Sequence, residues 1–195
     1  MNLLLARHGQ SLFNRDGLSP VDSPLTTLGR EQARLLGAWL ADQEPVTGFY
    51  ASSLQRARET AEIVNTFLRM EVSTLDELRE ADEYPLPHVP RHLGPFDALA
   101  ASPPDEIYRA FRQRIERAMR SIMDTHLEGT VLVVAHGGSL GVLLRSLLGA
   151  PAVLFSTDNC ALHRLSWRSI ETDATAGGRW ILHYLNRRSH LDGHG

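Results

Sequence analysis

Two kinds of run alternate along the chain. Leu3-Leu4-Leu5-Ala6 and Val131-Leu132-Val133-Val134-Ala135 are short, continuous and apolar, the pattern of strands buried on both faces. Each leads directly into a polar segment containing glycine, Arg7-His8-Gly9-Gln10 after the first and His136-Gly137-Gly138-Ser139 after the second. Between them the apolar spacing changes to three and four. Leu28, Leu35, Leu36, Trp39 and Leu40 predict one amphipathic helix, opened by Thr26 or Thr27 as its cap. A strand over Val46 to Ala51 precedes a second helix with Leu54, Ala57, Ala61, Val64 and Leu68 on one face and Ser52-Ser53 as its cap. Ile107, Phe111, Ile115, Met119 and Ile122 predict a third helix, and Leu140 to Leu148 a fourth. This alternation predicts one α/β domain over residues 1–195, with a mainly parallel central sheet covered by helices on both faces in three layers.

Residues 85–104 hold six of the ten prolines and keep no period, so an irregular, lid-like excursion is expected at about 81–105. The end of the chain, about 187–195, is expected to fray. No apolar run is long enough to span a bilayer, and Arg7 interrupts the first one too early for a signal-peptide core. A net charge of −3 gives no general attraction to nucleic acid or anionic lipid. A cytoplasmic protein acting on a small molecule is therefore expected, and its lone cysteine, Cys160, suits a reducing compartment. Oligomeric state is left open, a homodimer included.

All the cationic side chains are arginine, since the chain has no lysine. Position therefore decides which of them matter. In a parallel α/β sheet, ligands bind at the carboxyl ends of the strands, and Arg7-His8, Ser52 to Arg56 and His136 all fall at such ends. Two imidazoles and two arginines brought to one sheet edge make an anion pocket. Arg30, Arg58 and Arg79 are expected at the surface.

The ordered segments Arg7-His8-Gly9-Gln10-Ser11 with Asn14, Pro24-Leu25-Thr26 through Leu28-Gly29 and Gln32-Ala33, Ser52 to Ala57 with Thr60, Leu78-Arg79-Glu80, and Val133 to Gly137 resemble those of the histidine phosphatases, the phosphoglycerate mutase-like superfamily. Asn159-Cys160, before a late strand, fits the same pattern, so the resemblance runs from residue 3 to about 168. It implies a metal-independent phosphomonoesterase acting on a small phosphate ester, with no cofactor. His8 would attack phosphorus, and Arg7, Arg56 and a protonated His136 would hold the phosphoryl oxygens. Asn14 and the amide of Gly137 would add neutral donors, and Glu80 would protonate the leaving group. Glu77, Asp82 and Glu83 lie in the same turn and compete with Glu80 for that last role.

Three other readings carry specific residues. Gly137-Gly138-Ser139-Leu140-Gly141 matches the Gly-x-Ser-x-Gly elbow of serine hydrolases, for which Asp158 or Asp173 and His163 or His183 would complete a triad. A mutase primed by a bisphosphorylated sugar acid would use the same histidines, but mutases of the superfamily this chain resembles tend to be longer between the acid and the second histidine, so with the modest spacing from Glu80 to His136 the resemblance implies hydrolysis. A catalytically idle binding module would not need both histidines and both arginines. The pairs His88/His92 and His190/His194 have four-residue spacing without a predicted helix to align the rings, so no metal site is expected.

Overall fold

The computed structural model describes residues 1–43, 45–81, 89–92, 106–172 and 175–192. Strand β1 (Asn2–Arg7) is followed by the short helix α1 (Leu12–Asp16), α2 (Thr27–Ala41), β2 (Gly48–Ser52), α3 (Gln55–Leu68) and β3 (Ser73–Leu75). A 3-10 turn (Asp76–Leu78), α4 (Glu106–Thr125), β4 (Thr130–Ala135), α5 (Gly137–Leu148), β5 (Leu162–Thr172) and β6 (Thr175–Arg187) complete the order.

The strands form one sheet in the order β3-β2-β4-β1-β5-β6. The first four run parallel, and β5 and β6 pair antiparallel at one edge. Alternation along the strands sorts side chains to two cores. Leu3, Leu5, Val131 and Val133 meet α4 and α5 on one face, whereas Leu4, Ala6, Leu132 and Val134 meet α2 and α3 on the other. This is the expected three-layer α/β arrangement. Because β4 is inserted beside β1, the chain leaves these neighbours in opposite directions along the sheet, toward helices on opposite faces. Such a switch point opens a crevice at the carboxyl ends of the two strands.

Several expectations at the helix level are corrected. Thr26 caps α2, accepting the Gly29 amide at 3.0 Å. Leu28 is 53% exposed, because the buried face is Gly29, Ala33, Leu36, Gly37 and Leu40; Leu35 and Trp39 lie only half-buried beside it. Ser52 and Ser53 do not cap α3, whose N-cap is Leu54 with no side-chain bond. On α4, Tyr108 is buried and Ile107 exposed, so the inward stripe lies one residue from the expected start.

The β5–β6 hairpin was not anticipated beyond one late strand. Gly177 and Gly178 weaken the strand pattern of β6, but a Cβ at Gly178 would lie 2.4 Å from the Trp167 ring, so glycine makes room for it. Residues at the expected frayed end are also tied down. His190 stacks on Trp39 with centroids 5.7 Å apart and bonds the Cys160 carbonyl at 2.9 Å, while Leu191 packs on the core. Gly193 to Gly195, and most of the expected excursion, lie outside the described residues.

His163 on β5 is buried and accepts the Asn186 amide at Nδ1, 3.2 Å away. Burial lowers its pKa to about 4. The unfolded chain therefore takes up a proton near pH 6.5 that the native state refuses until about pH 4. Stability is expected to fall as pH drops through that window, His163 contributing on the order of 3 kcal/mol. Urea unfolding at pH 7 and pH 4.5 should show a smaller loss for His163→Gln than for the native chain; equal losses would remove His163 from the account.

Candidate active site

Pairing of β1 with β4 sets Arg7 opposite Ala135, so the residues that follow, His8 and His136, emerge side by side. Their ring centroids are 5.1 Å apart, and both are buried. The loop after β1 is held closely. Gly9 donates its amide to Thr60 Oγ1 at 3.0 Å, and its backbone crosses that of Gly29 so tightly that a Cβ on Gly9 would lie 2.4 Å from the Gly29 carbonyl oxygen. A side chain at either glycine would push the histidine loop off α2.

Two hydrogen bonds define the protonation of His8. Its Nδ1 lies 2.7 Å from the Gly9 carbonyl, which can only accept, and its Nε2 lies 3.0 Å from Arg56 Nε, which can only donate. Nδ1 therefore carries the proton and Nε2 presents a lone pair. Burial, then the charges of Arg7 and Arg56, hold the pKa of His8 well below its ordinary value, against the opposing bond to Gly9. The imidazole is neutral and nucleophilic at physiological pH.

Arg7 is anchored by Nη1 donating to the Thr157 carbonyl at 2.6 Å, and Arg56 by Nη1 donating to the Val21 carbonyl at 2.6 Å. Fixing both guanidiniums on loop carbonyls leaves their positive charge uncancelled by those contacts. Gly137 opens α5 above Arg7, where a Cβ would stand 3.8 Å from its guanidinium. Its amide belongs to the helix's first turn, which helical bonding leaves without a partner. Asn14 is exposed, and its Oδ1 accepts from the Ser11 amide at 3.4 Å and from Asn159 Nδ2 at 3.3 Å. With the oxygen so occupied, its Nδ2 is the group turned to donation. Asn159 also donates to the His8 carbonyl at 3.0 Å.

His136 meets the same cations. Burial, followed by His8, Arg56, Arg7 and Arg114, holds its pKa well below the ordinary value. Its Nε2 pairs with Ser52 Oγ at 2.7 Å, and that oxygen accepts the Leu54 amide at 3.3 Å. Nδ1 is buried with no hydrogen-bond partner among the described residues. Negative charge brought among these cations would oppose their effect and favour a proton on that nitrogen.

Glu80 reaches the same place from the segment after β3. Its Oε2 accepts the Gly138 amide at 2.8 Å, and its charge acts on Arg56. Glu77 is exposed, and Asp82 and Glu83 lie outside the described residues. Arg30, Arg58 and Arg79 are exposed, as expected, with Arg30 paired to Glu59 at 2.6 Å.

The serine-hydrolase reading finds no support in the geometry. Ser139 is buried in the first turn of α5 with its hydroxyl 3.2 Å from the carbonyls of both Leu78 and Arg79. His163 is bonded to Asn186, His183 to Ser166, and Asp158 to Asn186 and Arg188. Asp173 lies outside the described residues, as do His88 and His194 of the histidine pairs. Ser52 as a partner of His136, the Thr157 carbonyl and Arg114 escaped the sequence reading, because each acts through a long-range contact with no local signature.

Comparison with known proteins gives the family. The sequence model of the histidine phosphatase superfamily (branch 1) matches residues 3–177. A Yersinia pestis protein named as a probable phosphoglycerate mutase, GpmB, is 30% identical over 209 residues, spanning 98% of this chain and 95% of the relative. YhfR of Bacillus stearothermophilus has a similar structure, with a TM-score of 0.73 at 25% identity over 97% of this chain and 98% of that one. An Escherichia coli protein described as a candidate alpha-ribazole-5'-P phosphatase gives 0.71 at 26% identity, covering 96% and 97% of the two chains. The chain belongs to the histidine phosphatase superfamily, branch 1.

Proposed function

We propose that this protein is a phosphomonoesterase that hydrolyses a small phosphorylated metabolite through a phosphohistidine on His8. The observation that carries the reading is the arrangement at His8 Nε2, a lone pair on a neutral imidazole facing the Arg56 guanidinium. In the first step Nε2 forms a bond to phosphorus and the bond to the ester oxygen breaks. Arg7, Arg56 and His136 hold the three phosphoryl oxygens, with Asn14 and the Gly137 amide as neutral donors. Glu80 gives its proton to the departing alkoxide. It then takes one from the water that attacks the phosphohistidine, returning His8 to its starting state.

Positive charge in this scheme comes from side chains. Turnover is therefore expected to survive exhaustive treatment with a chelator; loss of activity restored by magnesium, manganese or zinc would overturn metal independence.

A second reading, a mutase primed by a bisphosphorylated sugar acid, is favoured by the name of the Yersinia pestis relative. The two differ in where the phosphoryl group goes. Isotopically labelled phosphate appearing in solution from phosphohistidine supports hydrolysis, whereas its transfer to added phosphoglycerate supports the mutase. Turnover across phosphorylated sugars, sugar acids, nucleotides and cobamide precursors identifies the ester.

A further inference from the structure

Among the described residues, two side chains from different helices reach five successive carbonyls, those of Asp76 to Glu80. Arg114 on α4 donates Nη1 to Asp76 at 3.2 Å and Glu77 at 2.9 Å, and Nη2 to Glu80 at 3.4 Å. Ser139 on α5 shares its hydroxyl proton between the two carbonyls in the middle, those of Leu78 and Arg79. Leu78 itself is buried in the core between these helices. At the end of the segment the Glu80 carboxylate meets the Gly138 amide, and a Cβ on Gly138 would lie 2.4 Å from Glu80 Oε1.

We infer that Arg114, Gly138 and Ser139 are positioning residues that set the Glu80 carboxyl at the leaving-group oxygen. The inference rests on the proton-donor role proposed for Glu80. Within the segment the Arg79 amide reaches only the Asp76 carbonyl, at 3.0 Å, so the carbonyls that follow need donors from outside it. A guanidinium with several N–H groups and a serine hydroxyl in the first turn of α5 supply them. Arg114 also packs over Phe111 at 5.0 Å, which orients its planar fork. The absence of a side chain at Gly138 lets the carboxyl group settle on the Gly138 amide at the start of α5, which fixes its direction. The apparent hydrolase elbow thus has a different use: its second glycine and its serine hold the acid of another mechanism.

The test compares an alkyl ester, glycerol 2-phosphate, with an aryl ester, para-nitrophenyl phosphate, whose leaving group departs without a proton. In Arg114→Gln and Gly138→Ala, kcat/KM for the alkyl ester should fall about tenfold to a hundredfold, while the aryl ester changes by less than about threefold. Gly138→Ala is the cleaner variant, because alanine in a helix is favoured over glycine and its urea midpoint should not decrease. In a Glu80→Gln background neither substitution should add a further alkyl-specific loss. Equal losses on both esters, or an alkyl-specific loss that persists without the Glu80 carboxyl, would overturn the positioning role. A Glu80→Gln protein with no ester contrast would instead remove the donor assignment, and the inference with it.

Discussion

His8→Ala is expected to lower phosphatase turnover by roughly 10⁴-fold or more while leaving the fold intact, the largest effect of any single substitution in this chain. The neighbouring groups are held for other contacts, His136 through Nε2 at Ser52 Oγ and the Glu80 carboxylate at the Gly138 amide. The fold survives because the core is built from the apolar faces of the sheet, whereas the His8 side chain bonds the Gly9 carbonyl and Arg56, and its backbone bonds remain in alanine. The measurement is rapid quench with a labelled ester, which should trap acid-labile, base-stable phosphate on His8 in the native protein and none in the variant. Label on Ser139 would refute the mechanism.

The second large effect is expected at Glu80. General acid help contributes about 10²- to 10⁴-fold where the leaving alcohol is poorly acidic, so Glu80→Gln should slow alkyl esters by an amount in that range. An aryl phosphate should be slowed far less. Glutamine keeps the shape and can still accept the Gly138 amide through its carbonyl oxygen, so the contrast between esters isolates the proton. Under single-turnover conditions the rate should depend more steeply on leaving-group acidity in the variant than in the native protein. Parallel lines for the two, with the steep response found in Glu77→Gln, Asp82→Asn or Glu83→Gln, would move the donor to that residue.

These two groups differ in how they are held. His8 sits one residue beyond a central strand, so sheet register and the Gly9–Gly29 crossing determine its place. Glu80 follows a short edge strand and a single 3-10 turn, and depends on side chains from two other helices. The position of its carboxyl group is therefore the more sensitive to substitutions far along the chain, through the same long-range bonds that keep it in reach of Gly138.

The sequence by itself determined the sheet and the chemistry at its edge. Continuous apolar runs such as Leu3 to Ala6 and Val131 to Ala135 can be satisfied only between two layers of helix, and a polar His-Gly turn after each can sit only at the carboxyl end. His8, His136, Arg7 and Arg56 were legible for that reason, and the structure brings them together. Only tertiary structure decided what each of them faces. Whether His136 carries a proton depends on burial and on cations drawn from β1, α3 and α4, which pull its pKa down and which no local pattern reports. Ser52 reads as a helix cap from its neighbours, yet the ring of His136 lies beside it and takes its hydroxyl. Ser139 matches a nucleophile motif, but a hydroxyl shared between two backbone carbonyls is occupied in holding a loop. Local pattern reports which residues a strand or helix buries, because periodicity is a local property. Hydrogen-bond partners and buried charge are settled by contacts between distant segments, and those exist only once the layers have packed.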